Sequence, residues 1–332
     1  WFLASTFWVS HALIVEAPSF WILTPFVSLG LALILSVFWS VSAAVSWTGK
    51  SSGVVRLLCL LAAFSLVEWA RSFVATGFPW SLMGSLFAFH PTSLQMASVI
   101  GIYGLNLFAF GFTIAPLFWI LAARRLAVLF FVAPLLGAGW GALRLDSQPV
   151  ELGSNAPTAR LVQPMVPQRD KWNRKKRQMH LANLIALSEA GTSSPYLVIW
   201  PETAFAGLPS QNHKLLDDTV RAATSSGGFL LTGIPRFNDV GELLNSAFLF
   251  DHRGGIQAVY DKRHLVPFGE YVPFRSWLPF LDIISGPEDF AAGTQNRLMS
   301  VKGLGEVQIL ICYEVIFAGN VGAQKTRPGL IV

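Results

Sequence analysis

Residues 307–317 read VQILICYEVIF. Five apolar or β-favouring residues lead into Cys312, Tyr313 and Glu314, and the chain then turns apolar again. The run Ile309, Leu310, Ile311 predicts a strand buried on both faces, as in the centre of an α/β sheet. In an extended chain, Cys312 and Glu314 would share one face and Tyr313 would point to the other. Cys312 then has three readings: a small core residue, half of a disulfide, or a nucleophile.

Two other apolar runs end the same way. YLVIWPET (196–203) predicts a strand stopped by Pro201, with Glu202 just beyond it. IQAVYDKRHLV (256–266) predicts a strand carrying Lys262 near its end, entered through a Gly254-Gly255 turn. Sites in α/β folds gather outside the carboxyl ends of strands. A Glu, a Lys and a Cys brought together there would suit nucleophilic chemistry. The carboxylate could take the thiol proton, and the ammonium could favour a thiolate or steady an oxyanion beside the backbone N–H after the cysteine. Taken singly, each has a plainer reading: a solvated turn acid, an exposed hairpin lysine, an apolar core cysteine.

The surrounding pattern divides the chain. Only 13% of the 332 residues are charged, against roughly 25% in ordinary soluble proteins. Nine of the 43 charges lie between Trp1 and Gln148. A multi-helix transmembrane bundle at 1–148 and an α/β domain at 157–332 are expected. Spanning helices need about 20 mostly apolar residues, and 1–15, 20–47, 54–76, 99–122 and 126–144 are the five candidates, with a proline-broken interfacial stretch at 78–98. Lys50 and Arg56 flank one connection and Arg124-Arg125 form another. By the positive-inside tendency both are cytoplasmic, which puts the second domain on the outer side; Arg71 and Arg144 run against this. Glu68 and Arg71, three apart near a helix end, read as an ion pair or as a group that handles lipid.

In the second part, strands are expected at ARLVQPMV (159–166), FLLTGIPRF (229–237) and NSAFLFD (245–251), and amphipathic helices at 170–191 and 213–228. The other cysteine, Cys59, lies in a predicted membrane helix, so no disulfide to Cys312 is expected. No metal-spaced Cys/His cluster occurs. The net charge of +5 shows no basic and aromatic interleaving of the nucleic-acid-binding kind. The sequence starts with Trp and its closing PGLIV reads as a strand cut short, so a piece of a longer protein is expected.

WPET (200–203), YDKRHLVPFGEYVPF (260–274) and CYE (312–314) together resemble the nitrilase superfamily, and specifically its membrane branch, the bacterial apolipoprotein N-acyltransferases. EWARSFVATGFPW (68–80), GIYGLNLF (101–108) and NSAFLFD (245–251) resemble that family too. The resemblance implies an αββα sandwich carried on a helix bundle in the bacterial cytoplasmic membrane, with further helices outside this sequence. It implies Glu202 as general base, Lys262 as the family's lysine, Cys312 as nucleophile and Glu270 as a second, assisting glutamate. Tyr313 and Glu314 follow the nucleophile as in the family, and Trp172 matches a tryptophan near the lipid site. The implied reaction moves an acyl chain from a phospholipid, usually phosphatidylethanolamine, onto Cys312, then to the amine of an apolipoprotein's diacylglyceryl-cysteine. No cofactor is implied, because the ester already holds the acyl group at suitable energy.

FRSWLPFLDIISGP (274–287), between two prolines, reads as an interfacial lid with Trp277 and Phe280 meeting lipid, or as a loop packed on its own domain. Rival functions are a membrane-tethered amidase or nitrilase acting on a small amide, a lipoprotein-binding scaffold, and a Cys/His hydrolase using His264.

Overall fold

An apolar segment satisfies its backbone away from water by coiling, since each helical N–H and C=O is paired within the segment. The computed structural model describes residues 1–16, 18–48, 52–147, 156–190, 196–277, 288–322 and 326–332. Two compact units form, Trp1–Leu152 and Gly153–Val332.

Among the described residues of the first unit, four helical stretches are long and apolar enough to cross a membrane: 18–48, 53–70, 97–120 and 124–147. Five were expected. The stretch 1–15 is interrupted: α1 (Phe2–Thr6) passes through a 3₁₀ turn (Phe7–Ser10) into α2 (His11–Glu16). Ser10 Oγ turns back to the Phe7 carbonyl and receives Ser28 Oγ at 2.9 Å, so this segment is pinned to the next helix. The loss lies at the N-terminal side, so the connections at 49–52 and 121–123 still share a side in a four-span reading. The spanning elements are α3 (Thr24–Thr48, preceded by a 3₁₀ turn), α4 (Gly53–Ala70), α6 (Ala97–Ile120) and α7 (Arg124–Ser147). The stretch 78–98 is irregular, with a 3₁₀ segment and the four-residue α5 (Pro91–Leu94).

Glu68 and Arg71 are 0% and 1% exposed, at the end of α4. Arg71 gives Nε and Nη2 to the two Glu68 oxygens at 3.1 and 2.7 Å. Its Nη1 goes to the Phe78 and Trp80 carbonyls, and Trp39 Nε1 donates to Glu68 at 2.9 Å. The pair thus ties α3, α4 and the following loop together, as the ion-pair reading expected.

The second unit stacks helices on a sheet and that sheet on another. The first sheet runs β1 (Ala159–Leu161), β2 (Leu197–Ile199), β3 (Phe229–Phe237), β4 (Leu243–Asp251) and β5 (Ile256–Asp261) in that order. β1, β2 and β3 are parallel and the remaining pairings antiparallel. The second sheet orders β6 (Leu298–Val301), β7 (Gly305–Gln308) and β8 (Leu330–Ile331). Alternation divides the first sheet's side chains. Val198, Leu230 and Phe248 pack with Leu181, Leu184, Leu216 and Val220 from α9 (Arg177–Glu189) and α10 (His213–Ala223). Leu197, Leu231 and Leu249 pack with Met299, Val307 and Ile309 of the second sheet. This is the α/β nitrilase-like architecture, with one helical layer and both sheets among the described residues.

Three elements differ from expectation. The helix expected over 170–191 breaks into α8 (Gln168–Lys171) and α9, because the Asn173 side chain captures the Lys175 N–H at 3.0 Å. The strand expected to 266 ends at Asp261. The strand expected over 307–317 is regular only to Gln308, its backbone bonds run on through Ile309 and Leu310 to Arg297 and Val332, and Cys312–Ile316 is a 3₁₀ turn, for a reason that lies in Glu314.

Replacing Arg71 by Met leaves the Glu68 carboxylate buried with the Trp39 N–H as its main partner. Stability should fall by about 3–5 kcal/mol, read as a lower unfolding midpoint of the detergent-solubilised protein. An unchanged midpoint would contradict the clamp.

Candidate active site

Lys262 follows β5, and its side chain is 1% exposed. Burying an ammonium is costly unless it is paired and hydrogen-bonded. Its Nζ lies 2.9 Å from Glu270 Oε1 and 3.4 Å from Glu202 Oε1. Asn245 Nδ2, from β4, donates to both carboxylates at 2.6 and 2.7 Å and so holds them side by side. Glu270 also accepts the Val266 N–H at 2.8 Å, which closes its own loop. Burial alone would pull the Lys262 ammonium down, but the charges of Glu202 and Glu270 outweigh it and the group is pushed above the usual lysine value.

Glu202 reaches this point because β3 passes close beneath its turn. A Cβ at Gly233 would stand 2.2 Å from the Thr203 nitrogen and 2.8 Å from the Glu202 carbonyl carbon, so only glycine fits there. On the other side Lys171, at the end of α8, donates Nζ to the Glu202 carbonyl at 3.0 Å. Loss of hydration lowers the Lys171 ammonium, against the pull of Glu202 and Cys312.

Cys312 heads the 3₁₀ turn with φ +50°, a left-handed conformation that costs a non-glycine residue about 1–3 kcal/mol. Thr203 (φ +51°), Phe268 (φ +63°) and Met165 (φ +55°) share this strain at the same site's edges. Cys312 is exposed, so a substrate can reach it. Withdrawal from bulk water and the Glu202 charge push its thiol above the ordinary range, and Lys262 only partly opposes them. The sequence suggested an ammonium-favoured thiolate. With two carboxylates facing the cysteine and a single buried ammonium already shared between them, the resting form is the thiol, with Glu202 positioned to accept its proton.

Glu314 holds the turn in place and is fully buried. It takes the Ile311 N–H at 2.9 Å, which stops that residue from continuing the strand. It also accepts Tyr260 Oη at 2.7 and 2.9 Å, and the Arg263 and His264 N–H groups at 3.1 and 3.2 Å. Arg297 stands 3.6 Å away. One carboxylate therefore joins the cysteine turn to the strand end that bears Lys262. Burial and the Glu314 charge push the Tyr260 phenol up, so it stays a donor.

The Tyr313 side chain is buried, its ring 5.6 Å from His264 and 5.1 Å from Phe317. The His264 ring lies over Phe317 at 3.9 Å, within that aromatic group. Trp172 is 54% exposed and lines a neighbouring cavity. Trp277 is 80% exposed, stacked on Phe274 and apart from the cluster's bonding. Phe280, with most of the expected lid, lies outside the described residues. The sequence reading did not single out Asn245 or Lys171. Asn245 sat within the quoted NSAFLFD stretch, and Lys171 directly precedes Trp172.

The family described as Carbon-nitrogen hydrolase matches residues 158–324, half of the chain, and the Apolipoprotein N-acyltransferase N-terminal domain matches 1–115. An apolipoprotein N-acyltransferase of Brucella suis is 34% identical over all of this chain and 65% of its own length. One from Allorhizobium ampelinum is 36% identical over 96% of this chain and 62% of its own. The chain thus spans under two thirds of the length of these curated relatives. A solved carbon-nitrogen hydrolase from Helicobacter pylori is 18% identical with a TM-score of 0.33, over 47% of this chain and 52% of that one, a likeness too slight to add to the fold.

Burial and the Glu202 charge keep the Cys312 thiol protonated to higher pH, so Glu202→Gln should move its ionisation to lower pH. Iodoacetamide alkylation of Cys312, followed by intact mass against pH in a Cys59→Ser background, measures this. An upward shift would contradict the arrangement. With half its length matched by the hydrolase family and its helical part by an acyltransferase domain, the chain belongs to the carbon-nitrogen hydrolase family, in a form that carries membrane-type helices of the apolipoprotein N-acyltransferase kind.

Proposed function

We propose that the chain is the acyl-transferring part of an apolipoprotein N-acyltransferase. The observation that carries this reading is the coexistence of a Glu202–Lys262–Cys312 cluster with a helical unit matching the acyltransferase N-terminal domain. A soluble amidase has no need of such helices.

In the first half-reaction, Cys312 Sγ attacks the ester carbonyl of a phospholipid acyl chain while Glu202 takes the thiol proton. The tetrahedral oxyanion is met by the Lys262 ammonium and the backbone N–H of Tyr313. The carbon–oxygen bond breaks, Glu202 returns the proton to the leaving oxygen, and lysophospholipid departs. The acyl group is now a thioester on Cys312. In the second half, the amine of a diacylglyceryl-cysteine attacks that thioester and gives a proton to Glu202. The carbon–sulfur bond breaks, the amide leaves, and Cys312 regains its proton. Because Lys262 remains an ammonium, it stabilises charge and leaves proton transfer to Glu202. Glu270 and Asn245 keep it aimed. The raised thiol is suited to this cycle, since the nucleophile is unmasked only as the base acts.

Both proposed substrates are lipid-anchored, and the positive residues at 50–56 and 124–125 support a position for the domain on the outer side of the bacterial cytoplasmic membrane. Phosphatidylethanolamine is the expected donor. A small amide as donor with water as final acceptor would give the amidase reaction instead, with ammonia and a free acid as products.

Incubated with phosphatidylethanolamine in mixed micelles, the protein should gain one acyl chain in intact mass, and Cys312→Ala should gain none. No mass gain on the unaltered protein, or ammonia release from a simple amide, would count against acyl transfer.

A further inference from the structure

Next to the cluster is a cavity whose chemistry the acyl transfer itself does not call for. It measures 520 Å³ and lies between the α8–α9 turn, residues 206–212, and the adjoining parts of β3 and β4. Among the described residues, its charged lining groups are Arg174 and Arg177. Arg177 is steadied by a neutral acceptor, Asn212 Oδ1 at 3.2 Å, which does not offset its charge. Arg174 is exposed. Three carboxylates close in sequence to the lining are engaged elsewhere: Asp170 by Lys176 at 2.9 Å, Asp289 by Arg275, and Glu242 by Asn238 Nδ2 at 2.8 Å. Apart from Gln211 and Asn212, the remaining lining is apolar, with Trp172 and Phe237 54% and 45% exposed.

This cavity meets the inner one along Arg177 and Ala206, and the inner one is lined by Lys171 and Glu202. The inner cavity in turn shares Glu202 with the cleft lined by Cys312, so an anion held by the two arginines would lie on the Glu202 side of the cysteine. Two guanidinium forks match the paired oxygens of a phosphodiester better than a single carboxylate does. Aromatic walls suit an apolar glyceryl ester on the same molecule. The chain's four membrane-length helices supply the setting in which such a molecule is abundant.

We propose that Arg174 and Arg177, with the Trp172 wall, bind the phosphodiester of a glycerophospholipid headgroup and so place its acyl ester towards Cys312. The assignment rests on the acyl-transfer reading and names the part of the donor that is recognised. A donor ester without phosphate would be taken up poorly. An anionic headgroup such as phosphatidylglycerol would bind at least as well as a zwitterionic one, since among the described residues the lining offers two guanidinium groups and no carboxylate.

The test uses an ether-linked short-chain phosphatidylglycerol, which cannot be cleaved, and the full detergent-solubilised chain. Arg174→Gln/Arg177→Gln should weaken its binding by about tenfold or more, the effect of losing charge-assisted hydrogen bonds. The matching ether diglyceride without phosphate should bind both proteins equally and weakly, and inorganic phosphate should compete poorly. Arg174→Gln alone, at its exposed position, should show a smaller loss in the same sense and serves if the double variant does not fold. Equal lipid affinity in the variants overturns the proposal. Competition by inorganic phosphate as strong as the lipid's own affinity overturns the lipid assignment. Binding of the ether lipid does not depend on turnover. Intact binding with no acyl-enzyme from an ester lipid would therefore count against acyl transfer and leave this site standing.

Discussion

A buried ammonium sets the terms for the second unit. Lys262 is withdrawn from water, and an unpaired cation there would cost several kcal/mol or lose its proton. Glu202 and Glu270 supply the counter-charge, and Asn245 keeps two carboxylates from repelling each other by donating to both. These partners come from the end of β2, from β4 and from the loop after β5, so holding the lysine also fixes the relative positions of the strand ends. Asp261, one residue earlier, repeats the device structurally: Arg236 and Ser246 bind its carboxylate at 2.6–2.9 Å across β3, β4 and β5.

The second constraint is the Glu314 carboxylate. It gathers donors from the cysteine turn and from the Tyr260–His264 segment. Cys312 can stay in a left-handed conformation because the Ile311 N–H before it is fastened to this group, which is itself held by the 260–264 segment. Strain at Cys312 and Thr203 is thus offset by bonds formed by adjacent residues. The exposed, protonated thiol and its carboxylate neighbour are the outcome of the two frames meeting.

Much of this was legible in local sequence. Apolar runs followed by Glu202, Lys262 and Cys312 marked three strand ends, and the structure brings all three together. Glu270 came only through the family resemblance, because an acid in a loop eight residues beyond a lysine has no periodic signal. Asn245 was hidden for the same reason: its bonds reach residues 43 and 25 positions away. Glu314 was visible but had no assignable role until its donors from the 260–264 segment were in place. The strand expected through Cys312 fails because Glu314 captures the Ile311 N–H, a side-chain competition that hydrophobic pattern does not register. The first predicted span fails similarly, with the Thr6 and Ser10 hydroxyls turning back to nearby carbonyls. The thiolate expectation weighed one ammonium and missed that two carboxylates already share it.

The central claim is that Lys262 persists as a buried ammonium between two carboxylates. The ¹⁵N chemical shift of its side-chain nitrogen, assigned by comparison with Lys262→Met and followed against pH, tests this most directly. The account predicts an ammonium signal throughout the neutral range, with a midpoint above the free lysine value of about 10.4. A neutral amine near pH 7, or a midpoint below that of free lysine, would contradict it.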